Sequence, residues 1–90
     1  MIVNNLFYSP SFLKEAKKLS TEVLNIFEKK EKIFRLNPLH PCLRLHQLHG
    51  ELNNLWSISL NKNYRAIFNR QKNGDIVFVS IGKHDIYKDL

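Results

Sequence analysis

Along the first part of the chain apolar residues recur at helical intervals, and beyond Pro38 they alternate with polar ones. Residues 4–8 are rich in strand formers and run into Ser9-Pro10, so they read as an opening strand. Serine followed by proline also starts a helix, because serine can cap the first turn and proline at the first helical position forfeits no needed N–H. The expected helix covers residues 10–19. Ser20 or Thr21 then caps a second helix, in which Val23, Ile26, Phe27, Ile33 and Phe34 share one face. Its opposite face, made of Lys and Glu, reads as solvated surface. This helix stops near Asn37-Pro38.

Residues 43–48 form a short candidate strand. Trp56, Ile58 and Leu60 alternate with Ser57, Ser59 and Asn61, the pattern of a strand with one buried and one wet face. Asn61-Lys62-Asn63 is a turn, residues 64–69 a further strand, Asn73-Gly74 a hairpin signal, and residues 76–81 the most hydrophobic strand. Together these runs predict an antiparallel meander that closes in a polar loop over residues 82–87. The pattern is that of an α+β chain without internal repeats or linkers.

Composition narrows the class. A chain of 90 residues with 43% hydrophobic content can close one modest core, so residues 1–90 are expected to form a single domain. Its apolar runs fall far short of the ~20 residues that a membrane span requires. The opening Met1-Ile2-Val3-Asn4-Asn5 has neither a basic segment nor a small-residue cleavage site, and the lone Cys42 cannot make an internal disulfide. Both features point to the cytoplasm. Fourteen Lys and Arg against eight Asp and Glu leave a charge of +6 before any histidine is counted. Such a surplus suits an anionic partner, nucleic acid or acidic protein, although a chain can also be basic without one. The positions of the cations must decide.

Cutting RNA without a metal requires a base for the 2′-hydroxyl proton, a cation for the charged phosphorane-like state and an acid for the leaving 5′-oxygen. His46, His49, Arg65, Lys83, His84 and Tyr87 all lie in the strand-rich half of the chain and none in the helical half. Arg65 follows Tyr64, so alternation points it away from Tyr64, Ala66 and Phe68, onto a face expected to be open. Its guanidinium is permanently charged and can fork two N–H groups onto a phosphate. Other chemistries lack their residues. His40, Cys42, His46 and His49 match no common tetrahedral zinc spacing. The carboxylates are too scattered for a two-metal nuclease. Three glycines make no phosphate loop, and Cys42 has no nucleophile signature around it. No metal or cofactor is expected.

Four strings in order, His46-Gln47-Leu48-His49-Gly50, Leu55-Trp56-Ser57-Ile58-Ser59-Leu60, Asn63-Tyr64-Arg65-Ala66-Ile67-Phe68 and Ile81-Gly82-Lys83-His84-Asp85-Ile86-Tyr87, resemble the RelE/ParE superfamily of bacterial toxins over essentially the whole chain. The resemblance implies an N-terminal strand and a helical hairpin packed on a mainly antiparallel twisted sheet. RelE-like and YafQ-like members cut messenger RNA, usually on the ribosome, whereas ParE-like members poison DNA gyrase. Within the nuclease branch, Arg65 matches the functional arginine of the Tyr-Arg motif. His84 stands where relatives carry a catalytic histidine or arginine, His46 matches a catalytic histidine of YafQ-like members, and Tyr87 an aromatic that stacks on a base or orients the phosphate. Lys62 and Lys83 would hold phosphates at a distance, with His49 a weaker candidate in their company. Ser57 and Ser59 stand where RelE proper has two lysines, and can hydrogen-bond substrate without supplying charge.

The function so implied is that of a type II toxin acting as a metal-independent endoribonuclease on messenger RNA. Its cognate antitoxin would cover the basic face with an acidic, partly disordered segment. The alternative is a gyrase inhibitor of the ParE type, or a degenerate toxin that only binds its antitoxin.

Overall fold

Two helices cover one face of a mixed sheet. A computed structural model of the chain describes residues 1–50, 54–83, 85 and 86. Its elements are β1 (Leu6–Tyr8), α1 (Pro10–Ala16), α2 (Thr21–Leu36), a 3-10 turn (Pro41–Leu43), β2 (His46–Gln47), β3 (Leu55–Ser59), β4 (Tyr64–Arg70) and β5 (Ile76–Lys83). Strand order is β1-β5-β4-β3-β2. Successive strands from β2 to β5 pair antiparallel, and β1 lies parallel to β5. The α+β class and the helical hairpin on a mainly antiparallel sheet are as the sequence predicts.

Helix boundaries follow from capping. Ser9 caps α1, accepting from the Phe12 N–H at 3.1 Å, and Ser20 caps α2, accepting from Val23 at 3.2 Å. To cap, Ser20 must be extended (φ −68, ψ 156), so α1 ends at Ala16 rather than at the expected Leu19. The intervening chain tightens, with Lys18 and Leu19 donating to Glu15 and Ala16. The strand expected over residues 43–48 shrinks to β2. Pro41 opens the 3-10 turn and Arg44 follows it in the left-handed region (φ 45, ψ 48), which delays the extended chain until His46.

The helical hairpin buries Phe12, Val23, Phe27 and Phe34 against Ile58, Ala66, Phe68, Ile76, Phe78 and Ile81. Phe78 stands at the centre. Its ring lies 5.7 Å from Phe12, 5.3 Å from Phe27 in an edge-on contact, 6.0 Å from Phe34, 5.8 Å from Phe68 and 5.8 Å from Tyr8. Tilted and edge-on pairs at these separations add to area burial, because each ring's positive rim meets a neighbour's negative face. The Tyr8 hydroxyl donates to Glu31, tying β1 to α2.

The pairing of β4 with β5 shifts register once. Ile67 faces Ser80 but Phe68 faces Phe78, so Val79 is an inserted residue, a β-bulge. Because β1 pairs only with Ile76, Val77 and Phe78, the edge of β5 beyond them needs other partners. Helix α1 and its cap provide them. The Ser9 N–H donates to Phe78 O at 2.9 Å, the Ser9 and Ser11 hydroxyls donate to Val79 O at 3.4 and 3.2 Å, and Glu15 accepts from the Ile81 N–H at 3.4 Å. At the hairpin, Gly74 has φ 91 and a Cβ there would come 2.9 Å from Asn4 Nδ2. Both the turn and the docked N-terminal arm therefore require glycine.

The serine face of β3 is not wet as alternation suggests. Ser57 is 0% and Ser59 9% exposed, and Ile67 and Ser80 beside them are buried too. Ile86 lies over this face, its Cγ2 only 2.5 Å from where a Gly82 Cβ would stand. Leu48, which extends the ladder by donating to Leu55 O at 2.9 Å, is buried on the same side.

Two outcomes are expected. Phe78→Ala should lose about 3–5 kcal/mol in urea denaturation, enough to unfold much of a small domain. A loss below about 1 kcal/mol would remove Phe78 from the centre of the core. Burial, and after it the hydrogen bond to Glu31, push the Tyr8 phenol up to about 12. A folded-state pKa above that of free tyrosine gives stability that is complete below about pH 10 and is lost as pH rises through the folded value. Absorbance titration should show one late-ionising tyrosine that disappears in Tyr8→Phe.

Candidate functional site

Strand register brings several of the sequence candidates onto the sheet face away from the helices. Arg65 lies opposite Ser59 on one side and Gly82 on the other. In the neighbouring row, His46 faces Ser57, Ser57 faces Ile67, and Ile67 faces Ser80. Alternation along β4 therefore places Arg65 on the predicted face. That face is covered rather than open, and Arg65 is half-buried.

Electrostatically the rows are incomplete. Among the described residues, the buried Arg65 Nη1 and the buried Ser57 Oγ have no hydrogen-bond partner. A buried donor left unmatched costs about 1–3 kcal/mol, and more when it is charged. Glu15 reaches this side, where its Oε1 accepts from the Ser80 hydroxyl at 2.9 Å. It is held at the far end of the other row, three strands from His46.

The remaining candidates scatter. His46 is exposed on the edge strand. Strands about 4.8 Å apart, rising about 3.4 Å per residue, put its Cα about 12 Å from that of Arg65. At that separation both side chains can reach a group lying between them. His49 is exposed beyond β2, beside Gly50 at φ 71, and belongs to neither row. Lys62 is exposed in the β3–β4 turn. Lys83 is exposed at the end of β5 and pairs with Tyr64, so register assigns it to the helix-side face and not to that of Arg65. There it borders a hollow of about 470 Å³ with Asn63, Tyr64 and Asp85. His84 and Tyr87 lie outside the described residues.

A cleft that the sequence pattern does not reveal opens beside Ser59. It measures about 410 Å³ and is bordered by Lys30 from α2, Arg44 behind the 3-10 turn, and Lys62. Lys30 belongs to a helix face that periodicity assigns to solvent. Arg44 gives no sign in the sequence of its left-handed backbone, a conformation that glycine or asparagine adopts more readily. Among the described residues no three His, Cys, Asp or Glu side chains group to hold a metal ion, and no helix is long and apolar enough to cross a membrane.

Comparison with known proteins agrees with the fold. Residues 10–84 match the family model described as the RelE-like toxin of type II toxin-antitoxin system HigB. No curated protein matches the sequence. Among solved structures, YafQ from Escherichia coli BL21(DE3) is similar with a TM-score of 0.77 at 16% identity, over 93% of this chain and 97% of that one. A YoeB/ParE toxin from Agrobacterium tumefaciens has a TM-score of 0.75 at 12% identity, over 90% and 99% of the two chains. The E. coli DinJ-YafQ toxin-antitoxin complex matches with a TM-score of 0.75 at 17% identity, over 94% of this chain and 97% of that one.

Ser57→Ala removes a buried hydroxyl that has no partner among the described residues. Its melting temperature should equal or exceed that of the parent, corresponding to a gain of up to about 1–2 kcal/mol. A clear fall in melting temperature would mean that the hydroxyl is satisfied after all.

Proposed function

We propose that this chain, which belongs to the HigB-like family of RelE-like toxins of type II toxin-antitoxin systems, is a metal-independent endoribonuclease that cuts messenger RNA on the ribosome. The observation that carries the reading is Arg65. Its guanidinium sits half-buried in the sheet with a donor nitrogen unmatched among the described residues, one row and two strands from His46. An unmatched cationic donor on a face shared with an imidazole is suited to an incoming phosphate.

In this mechanism the 2′-oxygen attacks the adjacent phosphorus as a histidine takes its proton. Arg65 holds the non-bridging oxygens while negative charge builds on them, and the bond to the 5′-oxygen breaks as a second histidine donates a proton to it. The products are a 2′,3′-cyclic phosphate and a free 5′-hydroxyl. His46 and His84 share the two proton transfers, and Tyr87 supports the base or the phosphate. Lys62, Lys83 and His49 contribute at longer range. Ser57 is fully buried, so it acts on substrate only if the chain above it moves. Ser59, at the rim of the cleft, is the better placed of the two serines.

The second partner is a protein antitoxin. E. coli YafQ forms a toxin-antitoxin complex with DinJ, and the charge of +6 on this chain suits an acidic segment of such a partner. The cytoplasm is the compartment where both partners would be met.

Purified protein added to a bacterial cell-free translation extract should generate new, defined 5′ ends on the messenger. Arg65→Ala should reduce cutting by at least ~10²-fold, the scale seen when one transition-state donor is removed. His84→Ala should abolish it. Intact messenger with folded protein would redirect the search to gyrase. Cleavage should also follow a bell-shaped pH profile centred near neutrality, where imidazoles titrate. A flat profile between about pH 5 and about pH 9 would exclude two histidines sharing the proton transfers.

A further inference from the structure

The cleft beside Ser59 has no part in the proton transfers, yet it gathers cations from three separate elements. Lys30 comes from α2, Arg44 from behind the 3-10 turn and Lys62 from the β3–β4 turn, and among the described residues no carboxylate lines the space between them. Among the described residues none of the three forms an ion pair. The Lys30 ammonium donates to Cys42 O at 3.3 Å, which positions it and leaves its other N–H groups available. Arg44 is presented by a clamped turn. Leu43 is fully buried, the Leu43 N–H donates to His40 O at 3.0 Å, the Arg44 N–H to Pro41 O at 3.2 Å, and the Cys42 N–H to His40 Nδ1 at 3.0 Å. An arginine held in the left-handed region, where glycine or asparagine would fit with less strain, marks a place where the guanidinium itself matters.

We propose that this cleft is a second phosphate-binding subsite, which takes a backbone phosphate of the single-stranded RNA next to the one being cut. The assignment rests on the endoribonuclease reading for its ligand. The link between the two sites is Ser59, which borders the cleft and pairs directly with Arg65 across the β3–β4 ladder. Through Ser59, a strand whose scissile phosphate meets Arg65 would bring its neighbouring phosphate to the cleft. Lys30 and Lys62 act there as point charges and Arg44 as a fork, so the subsite holds the backbone without reading a base. It sets the register of the RNA and leaves the chemistry to Arg65 and the histidines.

The test is fluorescence anisotropy with a short 2′-O-methyl RNA, which keeps every phosphate but cannot be cut by 2′-oxygen attack, titrated at several salt concentrations. The variants are Lys30→Gln, Arg44→Gly, Lys62→Gln and the three combined. A control triple replaces Lys14, Lys18 and Lys72, which lie outside the cleft. Arg44→Gly should melt no lower than the parent, because glycine suits the backbone there, so lost binding cannot be blamed on unfolding. The cleft triple should weaken binding at least tenfold and flatten the plot of log affinity against log salt by about 0.7 per phosphate contact removed. If both triples weaken binding equally, the effect is one of net charge and the subsite falls. It falls likewise if duplex RNA loses affinity in the cleft triple while the single strand does not. A parent protein that cuts messenger but binds independently of the cleft sinks this inference alone. Cleft-dependent binding by a protein that cuts nothing sinks the nuclease reading and leaves the subsite.

Discussion

One inserted residue, Val79, determines which side chains of β5 face which way. Without the bulge, with Val79 in a regular place in the ladder, Ile81 would fall out of phase with Ile76 and Phe78 and turn away from the helices. With it, all three face the core, while Ser80 and Gly82 come into line with Ile67 and Arg65 on the opposite side. The same kink presents the Val79 carbonyl to the hydroxyls of Ser9 and Ser11. Core packing, the seating of α1 and the composition of the face around Arg65 are thus three results of one break in the ladder.

The helices were legible in the sequence because their signals are local. Ser9-Pro10 and Ser20 are caps whose partners lie three residues away, and Asn73-Gly74 encodes its own turn. What escaped is non-local. Nothing in residues 6–8 states that they will lie parallel to β5, and nothing around Val79 marks the bulge. The side of β4 that holds Arg65 followed from alternation, but the burial of Ser57 did not. Small polar residues in period two look like a solvated face, yet Ser57 is fully buried, with Leu48 buried on the same side and Ile86 against Gly82. Lys30 and Arg44 were missed for a similar reason, since each looks like ordinary surface until the fold brings both to Lys62.

The burial of Ser57 also bears on how this chain differs from its relatives. Two lysines at β3, as the resemblance to RelE proper would have it, need room and solvent for their charge. At position 57 there is none, and an ammonium there would meet the full cost of leaving water without a counter-ion. Here the cations are gathered at the rim instead, at Lys30, Arg44 and Lys62, where solvent reaches them. The arrangement keeps positive charge near Arg65 without crowding the middle of the sheet.

The parallel pairing of Leu6 with Ile76 also governs when the protein can take shape. During synthesis β1 emerges first and has no strand to join until β5 has been made, so the sheet closes across nearly the whole chain. Contacts of such long sequence separation are slow to form, because loop-closure entropy is spent before any pairing rewards it. Helix α1 depends on the same late strand, since the hydroxyls and carboxylate that seat it find their partners at Val79, Ser80 and Ile81. A growing chain of this topology therefore cannot close its sheet or seat α1 until β5 arrives, even though Lys62 and Arg65 already share the local β3–β4 hairpin.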